Sequence, residues 1–428
     1  MWSRYNHFFA KANRHFLYNS LSNGFIELDA TTFDNLKASF ECDQLPTEID
    51  GESVDLLRKM KAIETDDDFE NNKIEYLNNA RCFSNTRLQL TINPTLGCNF
   101  ACPYCFEQGH KGITMSDQTE DDIVSYVRNH NTAKRIEVTW FGGEPLMAFN
   151  RIESLTHKLM DLGLKYDASM ISNGFLLNKH VISNLESLRI HSIQITLDGP
   201  KHLHDSRRHL TGGGATFEKI IENIKTCQTI SPKTRMVIRV NIDRTNMKEF
   251  PSLFKYIIEL QLPNLVVSPA FVNDCAADEP NPNVLSDIEK AEYIKWLYKE
   301  HNLAFDFFFP SHGRAGCSAR NMNTMVIGPS GELYRCWEDV GNPNRVYGNI
   351  TGQITNPMLL MRYINASNQF KDSKCKDCLL LPVCSGGCPK YRMMNKYEGK
   401  EIDVCPLIKH DLDEFLYLHF LHKTGETC

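Results

Sequence analysis

The sequence predicts an α/β protein: a core of parallel strands and helices, preceded by a small hairpin-and-helix domain and followed by a cysteine-rich one. Three observations predict it. From Arg87 onward, short strand-like runs alternate with helix-period stretches, the pattern of a parallel α/β core. Before that point the chain holds one hairpin signal, several helical patterns and two cysteines, Cys42 and Cys82. Between Cys317 and Cys405, seven cysteines stand at ordered spacing. At 428 residues the chain is long enough for two or three domains, and these patterns divide it at 1–86, 87–300 and 301–428.

Composition narrows the class. With 42% hydrophobic and 23% charged residues and a net charge of −6, the chain is of ordinary globular make-up and unlike a basic nucleic-acid binder. Its start, Met1 to Phe16, lacks the apolar core of a signal peptide, and no uninterrupted apolar run has membrane-spanning length. Neither nucleic acid nor membrane is therefore an expected partner. Without an export signal, the 15 cysteines read as metal ligands rather than a secreted disulfide framework, and the expected compartment is a reducing, low-oxygen cytoplasm.

In the first domain, His15 to Asp29 reads as strand, turn, strand, with Asn23-Gly24 as the turn. Helical patterns follow over 32–40, 53–63 and 68–79, with Thr32 and Ser53 as N-caps. Asp66-Asp67-Asp68 reads as a solvated surface turn. In the core, strands are expected at 88–93, 135–141, 168–172, 191–197, 235–243 and 265–270. Helices are expected near 119–131, 150–162, 178–187, 216–228 and 247–260. Cys227 lies on one of them as a core residue.

The residues with chemical potential sit just after strands, where α/β sheets place their active sites. After the first comes Cys98-Asn-Phe-Ala-Cys102-Pro-Tyr-Cys105. Gly97 before it and Pro103 within it make this a loop rather than a helix face. Three thiolates suit an iron–sulfur cubane with one iron left open; a structural zinc site wants four closed ligands. After the second strand, Gly142-Gly143-Glu144-Pro145 combines glycines that admit close backbone approach with a carboxylate that can accept from an ammonium. Ser172-Asn173-Gly174 follows the third strand, and Thr196-Leu-Asp198-Gly-Pro ends the fourth, with His204-Asp205-Ser-Arg207-Arg208 beyond it. Asn241 on the fifth points to the same mouth. Gly212–Glu218 lacks the lysine and second glycine of a phosphate loop, and Thr216 serves it as a helix cap.

The three-cysteine loop resembles the signature of the radical S-adenosylmethionine (SAM) superfamily, with Tyr104 as the aromatic residue before its last cysteine. The resemblance implies a partial (β/α)6 TIM-like barrel. It implies a [4Fe–4S] cluster on Cys98, Cys102 and Cys105 whose open iron holds the amino and carboxylate groups of SAM. One-electron cleavage of SAM then gives a 5′-deoxyadenosyl radical that abstracts hydrogen from substrate. By the same match, Gly142, Gly143 and Glu144 hold the SAM amino group, Thr196 hydrogen-bonds SAM and Arg208 pairs with its carboxylate. Arg207, one position away, leaves that assignment uncertain by one residue. For Ser172, Asn173 and Asn241 a structural role and a SAM contact stand equal.

The C-terminal array, Cys317-x13-Gly331-x4-Cys336 followed by Cys375-x2-Cys378-x5-Cys384-x3-Cys388 and Cys405, resembles the seven-cysteine SPASM domain. The resemblance implies two auxiliary [4Fe–4S] clusters, a distal one on Cys375, Cys378, Cys384 and Cys405 and a nearer one on Cys317, Cys336 and Cys388. Two zinc sites are the alternative. Some relatives carry an extra cysteine shortly before the first of these; this chain has Ser311 and His312 there, and Cys275 is distant. Either His312 closes the nearer site or an iron stays free for a substrate thiolate. Sulfatase-maturing relatives place an aspartate directly after the cysteine matching Cys336. Here that residue is Trp337, leaving Glu338 and Asp339 as candidate bases.

The N-terminal hairpin and helices resemble the winged-helix-like domains that precede many radical SAM peptide maturases and take a leader peptide as an added strand. The expected function is therefore modification of a ribosomally made precursor peptide, first a cysteine-to-carbon thioether, with carbon–carbon or ether crosslinks next. Its implied partners are a precursor with a leader and an electron donor such as ferredoxin or flavodoxin. Alternatives are an anaerobic sulfatase-maturing (formylglycine-generating) enzyme and a non-catalytic metal-binding or electron-transfer protein.

Overall fold

The computed structural model describes residues 1–45, 50–105, 107, 112–130, 132–273, 281–312 and 316–426. Cys275 and Cys428 lie outside the described residues. The chain divides into two compact units. One is formed by Met1–Cys82, Ser286–Ser318 and Ala366–Cys428, the other by Phe83–Leu285 and Ala319–Asn365.

The chain opens with strands β1 (Asn6–Lys11), β2 (Arg14–Asn19) and β3 (Gly24–Leu28), an antiparallel sheet in that order. The hairpin β2–β3 is the one the Asn23-Gly24 signal predicts, and Asn23 takes the left-handed conformation with φ 53°. Strand β1 escaped notice because His7, Lys11 and the Ala12-Asn13 turn interrupt its apolar pattern. Helices α1 (Ala30–Glu41), α2 (Gly51–Lys59) and α3 (Asp67–Cys82) follow.

The caps differ from expectation. Asp29 and Asp50, not Thr32 and Ser53, close the first two helices, accepting from the backbone N–H groups of Thr32 and Ser53. Thr32 and Ser53 lie at the third helical position, where their own N–H groups are among the donors that a cap must satisfy. Asp66–Asp68 is no free turn either. Asp66 accepts from the Phe69 N–H at 2.9 Å, and Asp67 accepts from the Arg4 N–H at 2.8 Å. Trp2, Leu17, Leu36, Leu57, Met60 and Ile63 form the core beneath.

The second unit is built on six parallel strands: β4 (Arg87–Ile92), β5 (Arg135–Trp140), β6 (Lys165–Ser172), β7 (Ile190–Thr196), β8 (Arg235–Ile242) and β9 (Leu265–Phe271), paired in sequence order. Between them run α4 (Asp117–Asn129), α5 (Phe149–Met160), α6 (Lys179–Asn184), α7 (Lys201–Arg207), α8 (Phe217–Ile230) and α9 (Phe250–Glu259). Every strand and helix expected in this core is present, with ends displaced by a few residues. Burial alternates along each strand. Leu88, Leu90, Ile92, Met236, Ile238 and Val240 are buried on the helix-covered face, while Thr91, Thr139, Ser169, Gln194, Arg239 and Asn241 occupy the inner face of the partial barrel.

After α10 (Asp287–His301) of the first unit, the predicted hairpin at 323–335 forms as β10 (Thr324–Ile327) and β11 (Glu332–Tyr334), followed by β12 (Gly348–Asn349). β10 lies parallel to β4, with Thr324 opposite Gln89, so the sheet has nine strands rather than six. The short α11 (Pro357–Met361) and α12 (Ser373–Lys376), then α13 (Pro389–Tyr397) and α14 (Leu412–Thr424), complete the chain.

Thr216 does not cap α8 with its own side chain. Its hydroxyl donates to the Arg208 carbonyl at 2.6 Å, and Asp205 accepts from the Thr216 and Phe217 N–H groups at 2.8 and 2.9 Å. Asp205→Ala should therefore open the first turn of α8, speeding amide exchange at residues 217–220 about fivefold, the equivalent of a cap worth about 1 kcal/mol. Asp205→Asn should retain most of the protection. Unchanged exchange in the alanine variant would contradict the assignment.

Candidate functional site

The three cysteines lie in irregular backbone between β4 and α4, as Gly97 and Pro103 require. The loop is pinned at both ends. Its base is closed by Leu96 N–H to the Ile113 carbonyl at 2.9 Å and Met115 N–H to the Pro94 carbonyl at 2.8 Å. Its middle pairs with the segment after α7: Phe100 bridges Leu210, Ala101 N–H reaches the His209 carbonyl at 3.0 Å, and Thr211 N–H reaches the Asn99 carbonyl at 3.0 Å.

Gly142 and Gly143 seat the loop on the sheet. Glu144 N–H donates to the Gly97 carbonyl at 2.8 Å, and Gly143 N–H to the Thr95 carbonyl at 3.2 Å. A Cβ on Gly143 would lie 2.4 Å from the Gly97 oxygen, and one on Gly142, at φ 121°, 2.4 Å from the Thr95 oxygen. Backbone cannot yield there as a side chain could, so both positions require glycine.

The Glu144 carboxylate is fully buried and accepts from the Ser172 hydroxyl at 2.8 Å, Asn173 N–H at 2.7 Å and Leu146 N–H at 3.1 Å. Burial raises its pKa, and these donors oppose the rise. A carboxylate has about four acceptor positions, so three protein donors leave one open. Ser172 and Asn173 thus meet Glu144 directly, and Asn173 Nδ2 also donates to Asn99 Oδ1 in the cysteine loop at 2.8 Å.

The segment after β7 converges on Tyr104 of the cysteine loop. Its hydroxyl donates to Asp198 and accepts from Arg208 Nη1 at 2.6 Å. The Arg207 guanidinium lies over its ring at 5.0 Å. The two arginines separate clearly. Arg207 Nη1 is held by both oxygens of Asp243 at 2.9 Å, with Asp198 at 3.5 Å from Nε. Arg208 is buried, and its Nε has no hydrogen-bond partner among the described residues. Burial works against its charge, but Tyr104, Cys102 and Asp198 outweigh it and raise its pKa. An orphaned buried cationic donor is costly and calls for an anionic acceptor. Asn99 Nδ2 is a second buried donor lacking a partner there.

His204 holds this corner. Its Nδ1 accepts from Asp198 N–H at 3.3 Å and its Nε2 faces the Thr216 hydroxyl at 3.1 Å. Burial, with Arg208 and Arg207 nearby, lowers its pKa well below the usual value, keeping it neutral. Thr196 is buried at the end of β7, and Asn241 Oδ1 accepts from Arg239 Nε at 2.9 Å. Sequence reasoning passed over Asp198 as a network centre, and Asn99 and Arg239 altogether. Asp198 was open to detection as the lone acidic residue of a strand end facing two arginines. Asn99 and Arg239 carry no such local signal.

Of the candidate bases, Asp339 is buried and accepts from the Tyr363 hydroxyl, whereas Glu338 is half-buried and its charge acts on Arg239. Trp337 is exposed and tilts against Phe141, ring centres 5.8 Å apart.

Burial pushes the Cys98 thiol up to about 12 and raises Cys102 and Cys105 as well, so free thiols dominate until metal displaces the protons. Tetrahedral zinc at about 2.3 Å from sulfur holds its ligands about 3.8 Å apart. Among the described residues, no three cysteine sulfurs lie within 4.8 Å of one another. The orphaned donors of Arg208 and Asn99 and the glycine seat fit a cluster with a small zwitterionic ligand better than a closed zinc site.

In the first unit, Cys375, Cys378, Cys384, Cys388, Cys405 and Cys317 lie together in one compact unit, while Cys336 belongs to the parallel-sheet unit. His312 Nε2 lies 3.0 Å from the Ser20 carbonyl and donates to it. No helix among the described residues is long and apolar enough to cross a membrane.

A family model for the radical SAM superfamily matches residues 92–257. The serine-type anaerobic sulfatase-maturating enzyme of Bacteroides thetaiotaomicron is 24% identical over 354 residues, covering 71% of this chain and 82% of that protein. The solved structure of anSMEcpe with bound AdoMet and the Cp18Cys peptide is similar with a TM-score of 0.63 at 22% identity, covering 79% of this chain and 98% of that one. Streptococcus suis SuiB bound to precursor peptide SuiA is similar with a TM-score of 0.53 at 17% identity, covering 95% of this chain and 99% of that one. The cysteine loop, the glycine seat and strands β5 to β8 lie inside the matched span, so residues 92–257 carry a radical SAM domain.

Proposed function

We propose that this radical SAM enzyme modifies a ribosomally made precursor peptide by joining a cysteine sulfur to a carbon of the same peptide. The observation that carries this reading is coverage. The fold shared with anSMEcpe leaves about a fifth of the chain unmatched, a length comparable with Met1–Cys82, whereas the fold shared with SuiB spans 95% of it. A maturase of sulfatases has no need for an added domain whose sheet ends in an edge strand; a leader-directed enzyme does. β3 is such an edge, and α3 exposes Phe69, Tyr76 and Leu77 along one face.

In this reading Cys98, Cys102 and Cys105 hold the SAM-binding cluster, and the bound pair supplies a hydrogen-abstracting carbon radical. The chain's residues hold and orient it. Glu144 offers its open acceptor position to the SAM ammonium, Arg208 Nε donates to the carboxylate, and Tyr104 fixes the Arg208 side chain from behind. Thr196, Ser172, Asn173 and Asn241 line the same mouth. Glu338, whose charge acts on Arg239 of the inner face, is the base that takes the proton. Thioether formation removes one S–H and one C–H hydrogen, so two electrons leave the substrate; two auxiliary clusters on the C-terminal cysteines would take up the one not consumed by the radical. An auxiliary-cluster iron left without a protein ligand would bind the substrate thiolate. Sulfatase maturation stands second, favoured by the named relative, and is weakened by Trp337 at the position of its base.

Arg208→Ala should weaken SAM binding about 10- to 100-fold with iron content kept, since a bond to a charged group is worth about 1.5–3 kcal/mol. Equilibrium dialysis with labelled SAM measures it, and unaltered affinity would remove Arg208 from the site. Arg207→Ala should instead lose folded protein, because it leaves Asp243 and Asp198 buried and uncompensated.

For the reaction, anaerobic enzyme with SAM and dithionite should strip two hydrogens from a full-length precursor encoded beside it, and far less from the leaderless core, as read by mass spectrometry. Conversion of a sulfatase-derived serine or cysteine peptide to formylglycine, with the precursor untouched, would replace this reading by the second.

A further inference from the structure

Resting on the auxiliary-cluster reading above, we propose that Arg392 sets the reduction potential of the distal cluster by donating a charged hydrogen bond to one of its thiolate ligands, with Asp372 opposing it. The geometry is local to one unit. Arg392 projects from α13, is nine-tenths buried, and its Nη2 lies 3.0 Å from Cys375 Sγ. Its Nε donates to the Gly386 carbonyl and its Nη1 to Asp372 Oδ2 at 2.6 Å. Three separate acceptors therefore fix the fork in one orientation, with one arm aimed at sulfur.

Asp372 is itself fixed, accepting from the Lys374 N–H at 2.9 Å as the cap of α12, the short helix that carries Cys375. Two of the other three sulfurs of the set meet weaker or wetter donors. Cys384 Sγ accepts from the neutral Gly386 N–H at 3.3 Å, and Cys405 Sγ lies 3.6 Å from the ammonium of solvent-exposed Lys409. Arg392 is the buried charge of the group.

Reduction of a four-thiolate cubane adds one electron and one unit of negative charge, with no bond made or broken and no proton taken up. A fixed cation donating to a ligand sulfur favours the reduced form, and a fixed anion behind it disfavours it; hydrogen bonds to sulfur and net charge are among the levers that set such potentials. Arg392, with little solvent exposure, is weakly screened, whereas Asp372, about a third exposed, is screened more. Arg392 and Asp372 thus push the same couple in opposite directions.

The test is an EPR-monitored redox titration of reconstituted full-length enzyme in a Cys98/Cys102/Cys105→Ala background, the distal signal being the one lost on adding Cys375→Ala. Arg392→Gln, which keeps a neutral donor, should make reduction about tenfold less favourable, a fall of about 59 mV for one electron. Asp372→Asn, a sound helix cap, should move the potential the other way. Opposite shifts at constant iron and sulfide support the proposal, since a merely structural pair would lose cluster in both. An unchanged potential in Asp372→Asn, or shifts of the same sign, would overturn it. If the background enzyme has no Cys375-dependent signal and lacks its iron, the auxiliary-cluster reading itself falls, and this inference with it.

Discussion

The structure of the site depends on a contact between two stretches of backbone: the carbonyls of Thr95 and Gly97 resting on Gly142 and Gly143. No side chain fits between them. That contact fixes the root of the cysteine loop against the end of β5, and it places Glu144 so that its carboxylate organises the turn at Ser172 and Asn173. Three strand ends are thereby tied into one surface before any ligand is present. The cost is a fully buried carboxylate, offset by three donors.

The second organising element is electrostatic. Asp198, wholly buried, collects the Tyr104 hydroxyl, the Asn241 N–H at 3.2 Å and the Arg207 guanidinium. Arg207 spends its charge on Asp243 and Asp198, which leaves its neighbour Arg208 positioned by Tyr104 with a donor in hand. Neutral His204 completes the corner without adding a third charge. Two adjacent arginines therefore do different work, one bracing and one presenting.

Much of the parallel core was legible in the sequence. Alternating runs such as Arg235–Ile242 are local signals, and the Gly-Gly-Glu-Pro and three-cysteine motifs mark their own positions. What stayed hidden was non-local. That β10 would lie beside β4 depends on residues more than 200 positions apart, Thr324 and Gln89, and nothing in either segment encodes the pairing. The division of labour between Arg207 and Arg208 was invisible for the same reason, since it is decided by Asp243 and Tyr104. The caps of α1 and α2 failed differently: a hydroxyl inside the first turn was read where a carboxylate three residues earlier does the work.

The central claim is that Cys98, Cys102 and Cys105 hold a cubane with one iron open to SAM. It is tested most directly by counting iron and acid-labile sulfide in anaerobically reconstituted protein, with and without the triple cysteine-to-alanine change. The account predicts loss of about four irons in the variant, together with loss of the change that SAM induces in the reduced protein's EPR signal. Zinc in place of iron, or iron content unaffected by removing the three cysteines, would contradict it.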